Sequence, residues 1–209
     1  MGESYWQKHP MRDPTIDVVR DALQRIQELV EVSDLDVMLV PTPNLSHPRF
    51  PVSGYCHNDH AVDCSVNPDH PRYEKTFDVE VPRSIVHEVH HALRYRFAGP
   101  WTVGENLVLE GLALCAEGAL RCPPAEFEAL PKDVHHSLVT KAHQQKSFPI
   151  NPNEDHRKYN WIWEANSPDH VANMYYVGRH IVETALANTS EDAFSAIKKP
   201  YQWFFENTN

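Results

Sequence analysis

The chain has 209 residues, 41% hydrophobic and 23% charged, the balance of a soluble globular protein long enough to bury a core as one domain. Nineteen Lys plus Arg against 29 Asp plus Glu leave a formal charge of −10, which argues against nucleic acid or an anionic membrane as the main partner. No apolar run approaches the roughly twenty residues of a membrane span, and Met1 to Pro14 lacks the continuous apolar stretch of a secretory signal.

The four cysteines (Cys56, Cys64, Cys115, Cys122) are too few for a disulfide scaffold and form no C-x-x-C pair. A reducing, cytoplasmic location is expected, without a thiolate metal site. Cys56 and Cys64 flank a hairpin and could pair, but spacing alone assigns no bond.

In chain order, Thr15 to Glu31 carries Ile16, Val19, Leu23, Ile26 and Val30 at helical spacing and predicts an amphipathic helix. Leu35 to Val40 reads as a strand stopped by Pro41 and Pro43, and Asn44 to Pro51 as loop. Val52 to Val66 reads as a hairpin turning at His57, Asn58 and Asp59. His47, His57, His60 and His70 fall in or beside it without ligand-like spacing, so no second metal is expected there.

Pro82 and Ser84 are expected to open the next helix, and Gly99–Pro100 to close it after Arg94 and Arg96. Thr102 to Leu120 reads as a helix rich in Leu and Ala, with Thr102 and Glu105 spaced as a capping box. Pro123 to Lys146 predicts a helix kinked at Pro131, whose His136 and His143 are expected on a solvated face. Phe148 to Asp169 reads as a long loop holding Trp161 and Trp163. Val171 to Ala187 predicts a late helix, Ser190 to Ile197 a short helical piece, and Tyr201 to Phe205 an aromatic tail on the core. The fold class expected is α+β, a mainly helical single domain spanning 1–209 with a small sheet against the helix of Ser84 to Arg94.

That helix contains His87–Glu88–Val89–His90–His91, the pattern H-E-x-x-H. Chance assembly from the chain's 14 histidines and its glutamates is expected only about 0.07 times. Imidazoles at i and i+4 lie one above the other and can grip one ion, while Glu88 flanks the place where a water on that ion would sit. Catalytic zinc needs a third side chain, and Glu105, Glu110 and Glu117 compete for the part. Glu105 has a capping reason of its own. Glu110 is followed by Gly111, which lets another backbone pass close, so Glu110 is taken as ligand and Glu117 as a group behind it. His90 is read as facing outward or backing the ligands, and Arg94 as either orienting a carboxylate or a surface charge.

The pattern of H-E-x-x-H followed by a Glu on the next long helix resembles the gluzincin metallopeptidases. The wording from His87 to Arg94 and from Glu105 to Ala113, with Tyr175–Tyr176–Val177–Gly178–Arg179–His180–Ile181–Val182 further on, is similar to the DUF2268 family of predicted zinc-dependent proteases. The likeness spans about Leu35 to Ala187. It departs from the family at Met174, where Gly is expected, and at Arg179, where an aromatic residue is.

The resemblance implies zinc on His87, His91 and Glu110, Glu88 as general base, and Tyr175 as donor to the oxyanion, with His180 and Arg179 as alternatives. It also implies a peptide or protein substrate laid along the strand nearest the metal. A hydrolase of some non-peptide amide or ester and a non-catalytic zinc-binding protein are the competing readings, and the presence of Glu88 weighs against the last.

Overall fold

The computed structural model describes residues 3–42, 50–122, 132–150, 160–163 and 173–208. Among them the fold is mainly helical with one three-stranded sheet, the α+β class expected. The chain gathers into two compact units, Met1–Tyr95 with Leu120–Pro123, and Arg96–Ala119 with Pro124–Asn209. No described helix is long and apolar enough to cross a membrane.

The first unit holds α1 (Glu3–Trp6), α2 (Arg12–Leu29), β1 (Asp36–Pro41), β2 (Val52–Asn58), β3 (Ala61–Val66) and α3 (Tyr73–Tyr95). Strand order is β1-β3-β2, with β1 parallel to β3 and β2 antiparallel to it. Alternation puts Val52, Cys56, Val62, Cys64 and Val66 on the buried face, and α3 packs across β2 and β3. The sheet thus leans on α3 as expected. The hairpin turns one residue later than the sequence suggested, at Asp59–His60, because the strand pairing shifts register between Cys56 and Asn58. His57 therefore sits on β2, where its Nε2 lies 2.8 Å from Asp63 Oδ2.

Helix α3 begins nine residues before Pro82 rather than at it. A proline inside a helix forfeits one backbone hydrogen bond, but Tyr73, Val81, Ile85 and Val89 continue one buried stripe through it, and that packing keeps the helix intact. Tyr73 anchors its start to α2. Thr15 Oγ1 donates to the Met11 carbonyl at 2.6 Å, so in the 2.7 Å contact between the two hydroxyls Tyr73 is the donor. Burial pushes the Tyr73 phenol up to about 12.

The second unit holds α4 (Val103–Ala119), α5 (Lys132–Gln145), α6 (Asn160–Trp163), α7 (Asn173–Thr189), a 3-10 turn (Ser195–Lys198) and α8 (Tyr201–Glu206). Helix α4 is buried along nearly its whole length. Its first amides are satisfied from outside the helix: Val103 N–H donates to the Phe148 carbonyl, Gly104 N–H to the Lys146 carbonyl, and Glu105 N–H to Thr102 Oγ1 at 3.1 Å. The capping role read for Thr102 is therefore real.

The main partner of α4 is α7. A methyl group on Gly111 would overlap the Gly178 carbonyl, and one on Gly178 would overlap the Leu107 carbonyl. The backbone that Gly111 lets pass is that of α7. Around this crossing, Tyr201, Phe204 and Phe205 of α8 are buried, as expected of the aromatic tail.

Three local expectations change. The described part of the Phe148 to Asp169 stretch contains α6, because Trp161 is buried, with its Nε1–H donating to Gln145 Oε1 and its carbonyl accepting from Asn173 Nδ2. His143 is not on a wholly solvated face: it meets the Phe205 ring edge-on at 5.1 Å, and burial followed by the Lys146 charge lowers its pKa. The turn at 195–198 is a 3-10 helix. The Asn44–Pro51 loop through residue 49, His47 with it, and the Pro131 kink lie outside the described residues.

Gly178→Ala should destabilise the protein by about 1–3 kcal/mol, the cost of forcing a methyl group into a filled contact. Gly118→Ala on α4 meets nothing within 4 Å and should be neutral or stabilising by up to about 1 kcal/mol. Urea unfolding of the two variants checks both signs.

Candidate metal centre

The two histidines of H-E-x-x-H sit on the last three turns of α3, with ring centroids 4.5 Å apart and planes at 84°. His91 is buried and His87 half-buried. Glu110, on α4, is buried. One ligand atom from each of His87, His91 and Glu110 lies within 4.8 Å of the others, and this is the one such group of His, Cys, Asp or Glu found among the described residues. Of the three carboxylates weighed on α4, Glu110 is the one that falls in this group. Glu105 and Glu117 are both buried on α4 outside that group.

Two nitrogens and one carboxylate oxygen within this span fit zinc, which in catalytic sites takes three protein ligands and keeps a fourth position open. The donors are borderline to hard, unlike the thiolate sets of structural zinc. No thiol competes. Burial first, and the Glu88 charge with it, push Cys56 and Cys64 up to about 12. Both are free, and neither falls in the group of candidate ligands.

Glu88 is buried, on the flank of α3 that faces β2 and β3. His90 is also buried, 1% exposed, which removes the outward-facing reading. Arg94 is 0% exposed, the largest fully buried side chain described. It is no surface charge. A guanidinium so placed needs partners inside the protein, and the position of Arg94 in the last turn of α3 suits the negative end of the helix as well. Tyr95, outside the H-E-x-x-H pattern, stacks on one of its histidines. Its ring lies nearly parallel to that of His91, 14° between planes and 6.5 Å between centroids. The signal available was its i+4 spacing from His91.

Tyr175 and His180 both lie on α7 and are partly exposed. Tyr175 precedes Gly178 by three residues and so shares its side of the helix; Gly178 in turn touches Gly111, the neighbour of Glu110. His180 follows Gly178 by two residues, a rotation of about 200° from the contact with α4. Arg179, the third alternative, is tied to Glu183 by an Nε to Oε1 hydrogen bond of 2.6 Å.

A family model described as predicted Zn-dependent protease (DUF2268) matches residues 16–206. No curated protein and no solved structure matches the chain.

Purified protein should carry close to one zinc per chain, and His87→Ala, His91→Ala and Glu110→Ala should each lose it, because two remaining donors make a weak site. Elemental analysis after dialysis decides. Zinc retained in Glu110→Ala would move the third ligand elsewhere.

Proposed function

From a chain that belongs to the DUF2268 family of predicted zinc-dependent proteases, we propose a zinc-dependent peptidase of gluzincin type that hydrolyses peptide bonds with Glu88 as general base. The observation that carries the reading is the joining of His87, His91 and Glu110 within reach of one ion, with Glu88 between the two histidines. His87, His91 and Glu110 would hold the zinc. When bound, zinc supplies a Lewis acid that acidifies water and polarises a carbonyl.

Glu88 takes a proton from the attacking water and later returns it to the amine nitrogen that leaves. Its burial keeps bulk water from competing for that proton. Tyr175 is the preferred donor to the oxyanion, on the strength of its position on α7 beside the contact with α4. A hydroxyl aimed at charge that develops only in the transition state accelerates the chemical step rather than binding. The substrate is a peptide or protein segment. Strand β2, at the edge of the sheet and packed on α3, offers backbone groups along which an extended chain can lie.

Glu88→Gln keeps the shape of the side chain but cannot take a proton. In a peptide-library digest it should retain zinc and lose turnover by about two orders of magnitude or more. Unchanged turnover would remove Glu88 from the mechanism, and a wild-type, zinc-loaded protein that cleaves no peptide would sink the peptidase reading itself.

Tyr175→Phe should lower kcat by roughly ten- to a thousand-fold with KM, zinc content and Tm nearly unchanged. A tyrosine that serves only packing gives the opposite pattern, a stability loss of about 1 kcal/mol with normal turnover. Steady-state kinetics and a thermal melt on one preparation separate the two.

A further inference from the structure

Strand β2 turns Val52, Gly54 and Cys56 toward α3, and among these three only Gly54 presents no side chain. The space a side chain would need is already filled. A methyl group built on Gly54 would overlap Glu88 Cγ and lie 2.5 Å from Glu88 Oε1 and 2.7 Å from Ser84 Oγ. The obstructing atoms include Cγ, near the root of the Glu88 side chain on a buried helix, so rotating the outer carboxylate alone does not clear them. The carboxylate therefore rests on the bare backbone of β2. Cys64, which pairs with Gly54 across the sheet, and Cys56, two residues along, both feel the Glu88 charge, as that placement requires.

We propose that Gly54 is a positioning residue for the general base: its missing side chain is what lets the Glu88 carboxylate lie against β2 in one orientation. The proposal rests on Glu88 acting as the base. A residue of any size at 54 forces Glu88 into another rotamer while leaving the faces of His87 and His91 untouched. Catalytic groups tolerate little such displacement, with about 1 Å of misplacement costing about a hundred-fold in rate. Gly54 is thus a demand of chemistry as much as of strand packing, and it separates holding the metal from using it.

Two mutant cycles test this. In the first, stability is read for Gly54→Ala alone and in a Glu88→Ala background, where Cγ and Oε1 are gone. Gly54→Ala should lower Tm by about 2–4 °C or more in the otherwise wild-type chain and distinctly less beside Glu88→Ala. Equal losses in both backgrounds, or failure to fold in both, would overturn the contact; folding restored only by Glu88→Ala supports it. This cycle needs no turnover, so it stands even if the peptidase reading fails.

In the second, zinc-loaded Gly54→Ala should keep its zinc and its KM while kcat falls about a hundred-fold. The same substitution made in Glu88→Gln should lower kcat little further, because the group it disturbs is already disabled. A drop of the same factor in both backgrounds, or an unchanged kcat in Gly54→Ala, would assign Gly54 to packing alone.

Discussion

The contact between Gly111 and Gly178 is the constraint on which the second unit turns. Each glycine costs about 1 kcal/mol relative to alanine in a helix, yet any side chain at either place would meet a carbonyl of the other helix or its neighbour. The two backbones touch, and α4 loses its last solvent-facing stripe. That explains why a helix with three glutamates can be buried almost end to end. It also fixes the rotation of α4 about its axis, hence the direction in which Glu110 leaves it.

The first unit solves a comparable problem with different means. Helix α3 must hold two imidazoles and a carboxylate at fixed rotations, and it does so by being long and packed on two sides, by α2 and by the sheet. Tyr73 pins its beginning through the hydroxyl of Thr15, and Arg94 is enclosed at its end. Between those points the helix absorbs Pro82 without breaking. Buried polar side chains are costly unless they are satisfied, and here they cluster on the turns that carry Glu88, His90, His91 and Arg94. Such surroundings hold these side chains in fixed orientations.

Much of this was legible in the sequence, and for physical reasons. H-E-x-x-H is a local pattern whose geometry follows from 3.6 residues per turn, so it survives any packing. Thr102 caps α4 because a hydroxyl three residues before Glu105 has a backbone amide within reach whatever surrounds it. Gly111 signalled a close approach but not by what: its partner is 67 residues away, and no periodicity encodes Gly178 as the answer. At Pro82 local propensity points to a helix start, and the buried stripe of Tyr73, Val81 and Ile85 overrides it. The burial of His90 and Arg94, and the Lys146 and Phe148 carbonyls that accept from the first amides of α4, depend on neighbours distant in the chain and have no local trace. Gly54 looked like an ordinary strand residue until the atoms above it were known.

The order in which these parts leave the ribosome matters for the same contact. The first unit is almost complete once Tyr95 has emerged. Helix α4 follows, rich in Leu, Val and Ala, but its partner α7 ends only at Thr189, roughly 4 to 14 s later at about 5–20 residues per second. During that interval α4 is a sticky, uncovered segment, the kind that invites chaperone binding or association between nascent chains. The same delay leaves His87 and His91 placed on α3 well before α7 is there to pack against the helix that carries Glu110.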